Sequence, residues 1–217
     1  MNTVFIEAEK KDTAEHYFLT ALMSKYFPGV EYELIPMAGV ANLFNDVNMN
    51  LLRSKTAEGI NCLAILDADT VEKGWGFVKR KANLEKGQQQ QGVAFPFFLY
   101  PDNGSDGDVE HLMESVARQD LHPTFFSCFR QYEMCVGGVV DAHGNQRYNT
   151  PDLKGKLHTY ISAQKLSNAQ RRRIGRGDWL FDDLKYWDLG RDAVQPLVSF
   201  LRANLRVVNS VILGRNK

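Results

Sequence analysis

The sequence has few of the features that mark secreted, disulfide-stabilised or membrane-spanning proteins. Its 217 residues include three cysteines, Cys62, Cys128 and Cys135, without CxxC spacing. This excludes a zinc ribbon or a disulfide framework and predicts buried free thiols. No apolar run is long enough to span a bilayer. The amino-terminal segment MNTVFIEAEKKD lacks the basic start and apolar core of a signal peptide, so we expect a cytoplasmic protein with no membrane partner.

Net charge is also absent, but the two parts of the chain differ in sign. Residues 1–150 hold 13 Lys and Arg against 20 Asp and Glu, whereas residues 151–217 hold 13 against 6. A basic C-terminal segment, which includes the run Arg171–Arg173, can contact phosphates or can neutralise the acidic part within one fold. The sequence leaves both readings open. A hydrophobic content of 44% excludes a disordered chain.

Short apolar runs and amphipathic segments alternate over the first half of the sequence. Strands are predicted at residues 3–7, 31–37, 62–66 and 93–100, because these runs are β-branched, aromatic or wholly apolar. Helices are predicted after Asp12, with Glu15 as its capping partner, from Val40 to Leu51, and after the loop GSDGD. The lysine- and glutamine-rich stretch 71–92 is expected to be solvated. This alternation predicts an α/β fold, with a parallel sheet of about four strands flanked by helices.

The second half of the sequence carries mainly helical patterns. Helices are predicted at residues 125–134, 153–161 and 194–205 from the spacing of their apolar residues. Trp179, Phe181, Tyr186 and Trp187 are expected to be core residues. We therefore expect an α/β core at residues 1–117 and a mainly helical extension at 118–217, packed together as a single compact unit.

Carboxylates end two of the predicted strands. Glu7 closes the first strand, and Asp67 and Asp69 close the third. Because the carboxyl ends of parallel strands meet at one edge, and alternate strand residues share a face, we expect these three side chains to share one cation. Hard oxygen ligands favour Mg²⁺ or Mn²⁺. Asp108 and Glu110 follow the fourth strand and either reach the same cleft or only favour a helix N-terminus.

The order of three motifs, IEAEKKD, MAG before a helix, and ILDADT, resembles a Toprim domain. Type IA and II topoisomerases, bacterial primases and OLD-type nucleases share that fold. The resemblance covers about residues 3–117. It implies that Glu7, Asp67 and Asp69 are the carboxylates of the site, and that Gly39 forms the glycine turn between the two acidic motifs and contacts the cofactor. Ala8 stands where the family often has glycine, and Asp12 comes one residue late. GDVEHLM and PDLKGKL look like the acidic helix start and the lysine-containing helix of the OLD-type branch. The whole chain resembles small stand-alone bacterial proteins of that branch.

The resemblance implies a Mg²⁺-dependent phosphodiester enzyme, a nuclease acting on DNA or RNA. In such an enzyme Glu7 acts as a general acid/base or a metal ligand, Asp67 and Asp69 hold the metal, and Lys156, rather than Lys154, contacts the phosphate. OLD nucleases carry an ATPase segment that is not seen ahead of this domain. A metal-binding module that partners a separate ATPase is therefore an alternative. LDADT also fits the Asp-x-Asp-x-Thr motif of haloacid-dehalogenase-like phosphatases, in which the first aspartate is a nucleophile.

Overall fold

A computed structural model describes residues 1–206, and residues 207–217 of the predicted C-terminal extension lie outside the described residues. The four strands are β1 (Asn2–Ile6), β2 (Tyr32–Pro36), β3 (Asn61–Asp67) and β4 (Phe97–Tyr100). The helices are α1 (Ala14–Tyr26), α2 (Asp46–Ala57), α3 (Phe77–Gln91), α4 (Val109–Val116), α5 (Pro123–Gly137), α6 (Leu153–Ser162), α7 (Asn168–Ile174) and α8 (Gln195–Asn204). Two 3₁₀ turns lie at Val40–Asn42 and Asp192–Val194.

The four strands form one parallel sheet in the order β2-β1-β3-β4, which confirms the predicted fold class. From β1 the chain passes to β2 on one side and then returns to place β3 on the other side. In parallel sheets, ligands bind beyond the carboxyl ends of the strands at such a switch point. A ligand-binding site is therefore expected in the crevice that follows Ile6 and Asp67.

Helices cover both faces of the sheet, so that alternate strand residues enter two separate cores. One core places Phe5, Ala64 and Leu66 against α2 and α3. The other places Val4, Ile65 and Phe98 against α1 and the helices that follow β4. Burial on both faces explains why β3 is apolar from Cys62 to Leu66 rather than alternating.

The helices after residue 118 share the larger of these cores with the sheet. The rings of Phe98, on β4, and Phe200, on α8, lie 5.5 Å apart. Trp187 is fully buried and its Nε1–H donates a 2.7 Å hydrogen bond to the carbonyl of Trp179. The prediction that the aromatic residues between 179 and 187 belong to the core is confirmed.

The predicted helix from Val40 to Leu51 is wrong in its first half. A 3₁₀ turn occupies Val40–Asn42, and α2 begins only after Asn45, whose side chain accepts a 2.9 Å hydrogen bond from the backbone N–H of Asn48. Val47 is 75% exposed, so its helical spacing from Val40 does not reflect a common buried face. The capping asparagine therefore outweighs the apolar periodicity in fixing the start of the helix.

The stretch 71–92 is mostly exposed, as expected, but it also contains α3, a helix that was not predicted, which buries Arg80 and Leu84. Two further expectations need correction. Helix α1 is capped by the side chain of Thr13, not by Asp12 and Glu15. Cys128 and Cys135 are exposed, whereas Cys62 is buried as expected. The arginine run lies on the short helix α7. Within residues 1–206, no helix is both long and apolar enough to cross a membrane.

We expect Asn45→Ala to lower the free energy of unfolding by about 1 kcal/mol, because the backbone N–H of Asn48 loses its capping acceptor. Urea denaturation of the purified protein measures this change. Asn50→Ala, at an exposed position inside the same helix, is the control and should not destabilise. Equal effects of the two substitutions would contradict the assigned helix start.

Candidate active site

A small cleft lies at the carboxyl end of β1 and β3, in the crevice at the switch point. Its volume is about 190 Å³. Five carboxylates line it: Glu7 and Glu9 after β1, Glu15 on α1, Asp67 at the end of β3 and Glu110 at the start of α4. Glu9 is exposed, whereas the other four are at least partly buried. Lys154 of α6 also lines the cleft. We call Glu7, Glu15, Asp67, Glu110 and Lys154 together the carboxylate cleft.

Backbone hydrogen bonds fix the two carboxylates at the ends of the strands. The N–H of Asp67 donates a 3.0 Å bond to Oε2 of Glu7. The N–H of Val109, at the start of α4, donates a 2.9 Å bond to Oδ1 of Asp67. Each acid is thus held by the element beside it, so the cleft is a consequence of the parallel strand order.

Glu15 also lines the cleft, although the sequence analysis assigned it only a capping role. Its side chain is 8% exposed, and its Oε1 is buried with no hydrogen-bond partner among the described residues. The hydroxyl of Tyr100, fully buried at the end of β4, is also without a partner in residues 1–206. The signal was present in the spacing: Glu15 stands three and four residues before Phe18 and Leu19, which places it on the buried face of α1.

The electrostatics of the cleft favour a positive ligand. Burial, followed by the charges of Glu7 and Glu110, raises the pKa of Glu15 from its usual value to about 8. Burial and the charges of Glu7, Glu15 and Glu110 raise the pKa of Asp67 well above its ordinary value. Burial likewise raises the pKa of Glu7 and of Glu110. The cleft is lined by five acids and one lysine, so its lining carries an excess of negative charge that a cation would offset.

The structure does not bring Asp69 together with Glu7 and Asp67 in the way that was expected. Asp69 lies beyond the end of β3, with φ 59°, so the alternation of the strand no longer sets the direction of its side chain. Its carboxylate pairs instead with Arg80, which is buried on α3, and with Lys73 at 3.5 Å. The left-handed conformation of a non-glycine residue stores strain of a kind that clusters at functional sites.

The two residues proposed after β4 have different environments. Asp108 caps α4 and its side chain lies 2.6 Å from the His111 ring and 3.3 Å from Lys73. Although burial alone would raise its pKa, these hydrogen bonds lower the pKa of Asp108. Glu110 faces the carboxylate cleft. Of this pair, the geometry therefore places Glu110 among the candidate ligands and Asp108 in a capping role.

The lysine beside the cleft is Lys154, whereas Lys156 was expected. Lys156 lies 2.7 Å from Glu114 in a salt bridge. Lys154 is 65% exposed in its side chain and its Nζ lies 3.9 Å from Glu110. The two lysines stand two residues apart on α6, so they project in different directions.

Gly39 forms the turn that follows β2, with φ 106°. Its N–H donates a 2.9 Å bond to the carbonyl of Glu7, which ties the turn to the end of β1. Because that N–H is already bonded, Gly39 does not offer it to a cofactor. Asp12, with φ 66°, lies outside the cleft and accepts a 2.7 Å bond from the hydroxyl of Tyr17.

The carboxylate cleft offers the ligand type that a hard divalent cation prefers, since it consists of carboxylate oxygens, one of which is buried with no partner in residues 1–206. Within residues 1–206, however, no group of three or more His, Cys, Asp or Glu side chains is arranged so that it could hold a metal ion. The carboxylates line the cleft without closing on a common point. The residues that would hold the ion are Glu7, Glu15, Asp67 and Glu110.

Comparisons with known proteins identify a family but not an activity. No curated protein and no solved structure matches the chain. One family model matches residues 9–206, and its description reads "Protein of unknown function (DUF3226)". Because this match covers most of the sequence, the chain belongs to the DUF3226 family.

Proposed function

We propose that this protein hydrolyses phosphodiester bonds in nucleic acid with a divalent cation, Mg²⁺ or Mn²⁺, and that it does so in the cytoplasm. The observation that carries the proposal is the carboxylate cleft, with Glu7 and Asp67 at the ends of adjacent central strands and Glu15 and Glu110 facing them. Buried acids with raised pKa values in a cleft are features of functional sites. The Toprim-like order of the motifs supports the same chemistry.

Each residue of the cleft has a defined task in this proposal. Glu7, Glu15, Asp67 and Glu110 hold the cation. A bound divalent cation would offset the negative charge that gathers on the phosphate oxygens in the transition state. Lys154 stands at the exposed side of the cleft, next to Glu110, and is placed to contact the phosphate. Its partner Glu110 would then be free to turn toward the cation.

We expect Asp67→Asn to lower metal-dependent cleavage of DNA or RNA at least 100-fold, because the substitution removes a ligand from the cation and the transition-state charge is left without its counterion. Supercoiled plasmid and labelled single-stranded oligonucleotides are the substrates, each incubated with Mn²⁺, Mg²⁺ or EDTA. Glu58→Gln, at an exposed position next to the amino end of β3, is the control and should cleave at the wild-type rate.

The same assay separates the competing functions. A module that only binds metal, for example as the partner of a separate ATPase, raises its melting temperature with Mn²⁺ but cleaves no substrate. A phosphatase of the haloacid-dehalogenase type hydrolyses p-nitrophenyl phosphate but leaves oligonucleotides intact. Cleavage that persists in EDTA, or in the Asp67→Asn variant, would overturn the proposed function.

A further inference from the structure

A second cleft adjoins the carboxylate cleft and shares Glu7 with it. Its volume is about 530 Å³, within the roughly 300–1,000 Å³ typical of ligand sites. Its walls include Phe44, Trp75, Arg80 and Asn83, from the segment before α2, the loop before α3, and α3 itself. We call this the aromatic cleft. Because Glu7 borders both clefts, a ligand in one lies next to the other.

A buried guanidinium without a full set of partners lies in the wall of the aromatic cleft. Arg80 is 5% exposed, and its Nη2 pairs with Asp69. Its Nε is buried and has no hydrogen-bond partner among the described residues. The guanidinium carbon lies 3.9 Å from the centroid of the Trp75 ring, in a cation–π contact. A buried donor without an acceptor is costly, so the guanidinium would gain from an acceptor supplied by a ligand.

The ring of Phe44 occupies space that is left open by a glycine within α3, Gly87. A Cβ atom added at Gly87 would lie 2.3 Å from the Phe44 ring, so only glycine allows the ring this position. A glycine inside a helix costs about 1 kcal/mol relative to alanine. The helix accepts that cost at the position where Phe44 borders the cleft.

Helix α3, which forms one wall of the aromatic cleft, is basic. Helix α3 carries Lys79, Arg80, Lys81 and Lys86 against the single acid Glu85. Lys79 lies 5.1 Å from the centroid of the Trp75 ring. Basic side chains interleaved with aromatic rings are the surface that binds single-stranded nucleic acid, in which the phosphates are charged and every base has a π face.

We propose that the aromatic cleft binds one nucleotide of a nucleic-acid strand, with its base against Phe44 and Trp75. Its phosphate lies toward Arg80 and Lys79, and the next phosphodiester along the strand lies over the carboxylate cleft. Asn83 offers an amide to the edge of the base. This inference rests on the proposed function, because it identifies the substrate group that sits beside the cleaved bond.

Trp75 provides a direct signal for this test, because Trp179 and Trp187 are buried and Trp75 is partly exposed. The probes are a single-stranded tetramer of deoxyadenosine nucleotides and an abasic tetramer with the same phosphates, both titrated in EDTA. We expect the first to quench Trp75 fluorescence and to bind about tenfold more tightly than the abasic tetramer, since stacking of a base on an aromatic ring is worth roughly a factor of ten.

Phe44→Ala should weaken binding of the deoxyadenosine tetramer about tenfold and leave binding of the abasic tetramer unchanged. Tyr132→Ala removes an exposed aromatic ring on α5 and should change neither. Trp75→Ala, followed by the anisotropy of a labelled tetramer, gives the same comparison if Phe44→Ala does not fold. Equal affinity of the wild type for the two tetramers, or equal loss for both in the Phe44→Ala or Trp75→Ala variant, would overturn the inference.

The two proposals fail in different ways. Base-dependent binding in EDTA without any cleavage in Mn²⁺ overturns the proposed function and retains a nucleotide site. Cleavage in Mn²⁺ with no preference for the tetramer that carries bases overturns the aromatic cleft as a base site and retains the phosphodiester chemistry.

Discussion

Glu15→Gln is expected to stabilise the metal-free protein at pH 8, by up to about 4 kcal/mol. The pKa of Glu15 is raised to about 8, mainly by burial, so the folded protein binds a proton at this site that the unfolded chain releases near pH 4.5. Stability is then fully present below pH 4.5 and is lost as the pH rises toward 8. Glutamine carries no charge and removes this loss. Urea denaturation in EDTA at pH 5 and at pH 8 measures the difference.

Three controls make the Glu15 prediction specific. At pH 5 the two proteins should differ little, because Glu15 is then protonated in the folded state. Glu58→Gln, at an exposed glutamate, should have no effect at either pH. In the presence of Mn²⁺ the order should reverse at pH 8, because the wild type gains a cation that the variant binds poorly. Destabilisation by Glu15→Gln at both pH values in EDTA would instead indicate a favourable contact of the carboxylate.

Arg80→Ala is expected to lower the free energy of unfolding by about 3 kcal/mol, because it leaves Asp69 without its main partner in a largely buried position. Removal of the guanidinium also takes away its contact with the Trp75 ring, 3.9 Å away. Lys73, at 3.5 Å from Asp69, keeps the loss below that of a fully unpaired charge. Chemical denaturation at pH 7 in low salt is the measurement.

Lys79→Ala is the matched control for Arg80, since it removes a neighbouring cation from an exposed position on the same helix. It should change stability by less than about 0.5 kcal/mol. The double variant Arg80→Ala, Asp69→Ala should recover part of the loss, because no charge is then left unpaired. Additive losses at the two positions would show that they do not act as a pair.

The four strands were predictable because each is a short apolar run between polar turns, and the edge that carries Glu7 and Asp67 followed from their parallel order. The position of Glu110 beside the cleft was also predictable, since this residue comes soon after the last strand. The direction of Asp69 was not. It depends on the left-handed backbone at that residue and on its pairing with Arg80, eleven residues further along the chain. Arg80 lies in α3, and the many lysines and glutamines of that segment gave no clear helical pattern of apolar residues.

Glu15 and Lys154 show a second limit of the sequence. The spacing of Glu15 from Phe18 and Leu19 placed it on a buried face. An acidic residue near the start of a helix, however, is more often interpreted as a capping residue. Which of Lys154 and Lys156 lies beside the cleft depends on which one forms the salt bridge with Glu114. That salt bridge joins α4 to α6 and results from tertiary packing alone. Both residues were decided by neighbours far away in the sequence.

The loop before α3 and the loop before α4 are tied to each other. The N–H of Gly107 donates a 2.8 Å bond to the carbonyl of Asp69, and the N–H of Phe77 donates a 2.7 Å bond to Asp106. If a ligand at Arg80 displaced Asp69, the movement would be passed through these bonds to the start of α4. The first N–H of α4, that of Val109, donates a hydrogen bond to Asp67. Two ligands joined in this way obey thermodynamic reciprocity: whatever factor a cation adds to the affinity for a strand, the strand adds to the affinity for the cation.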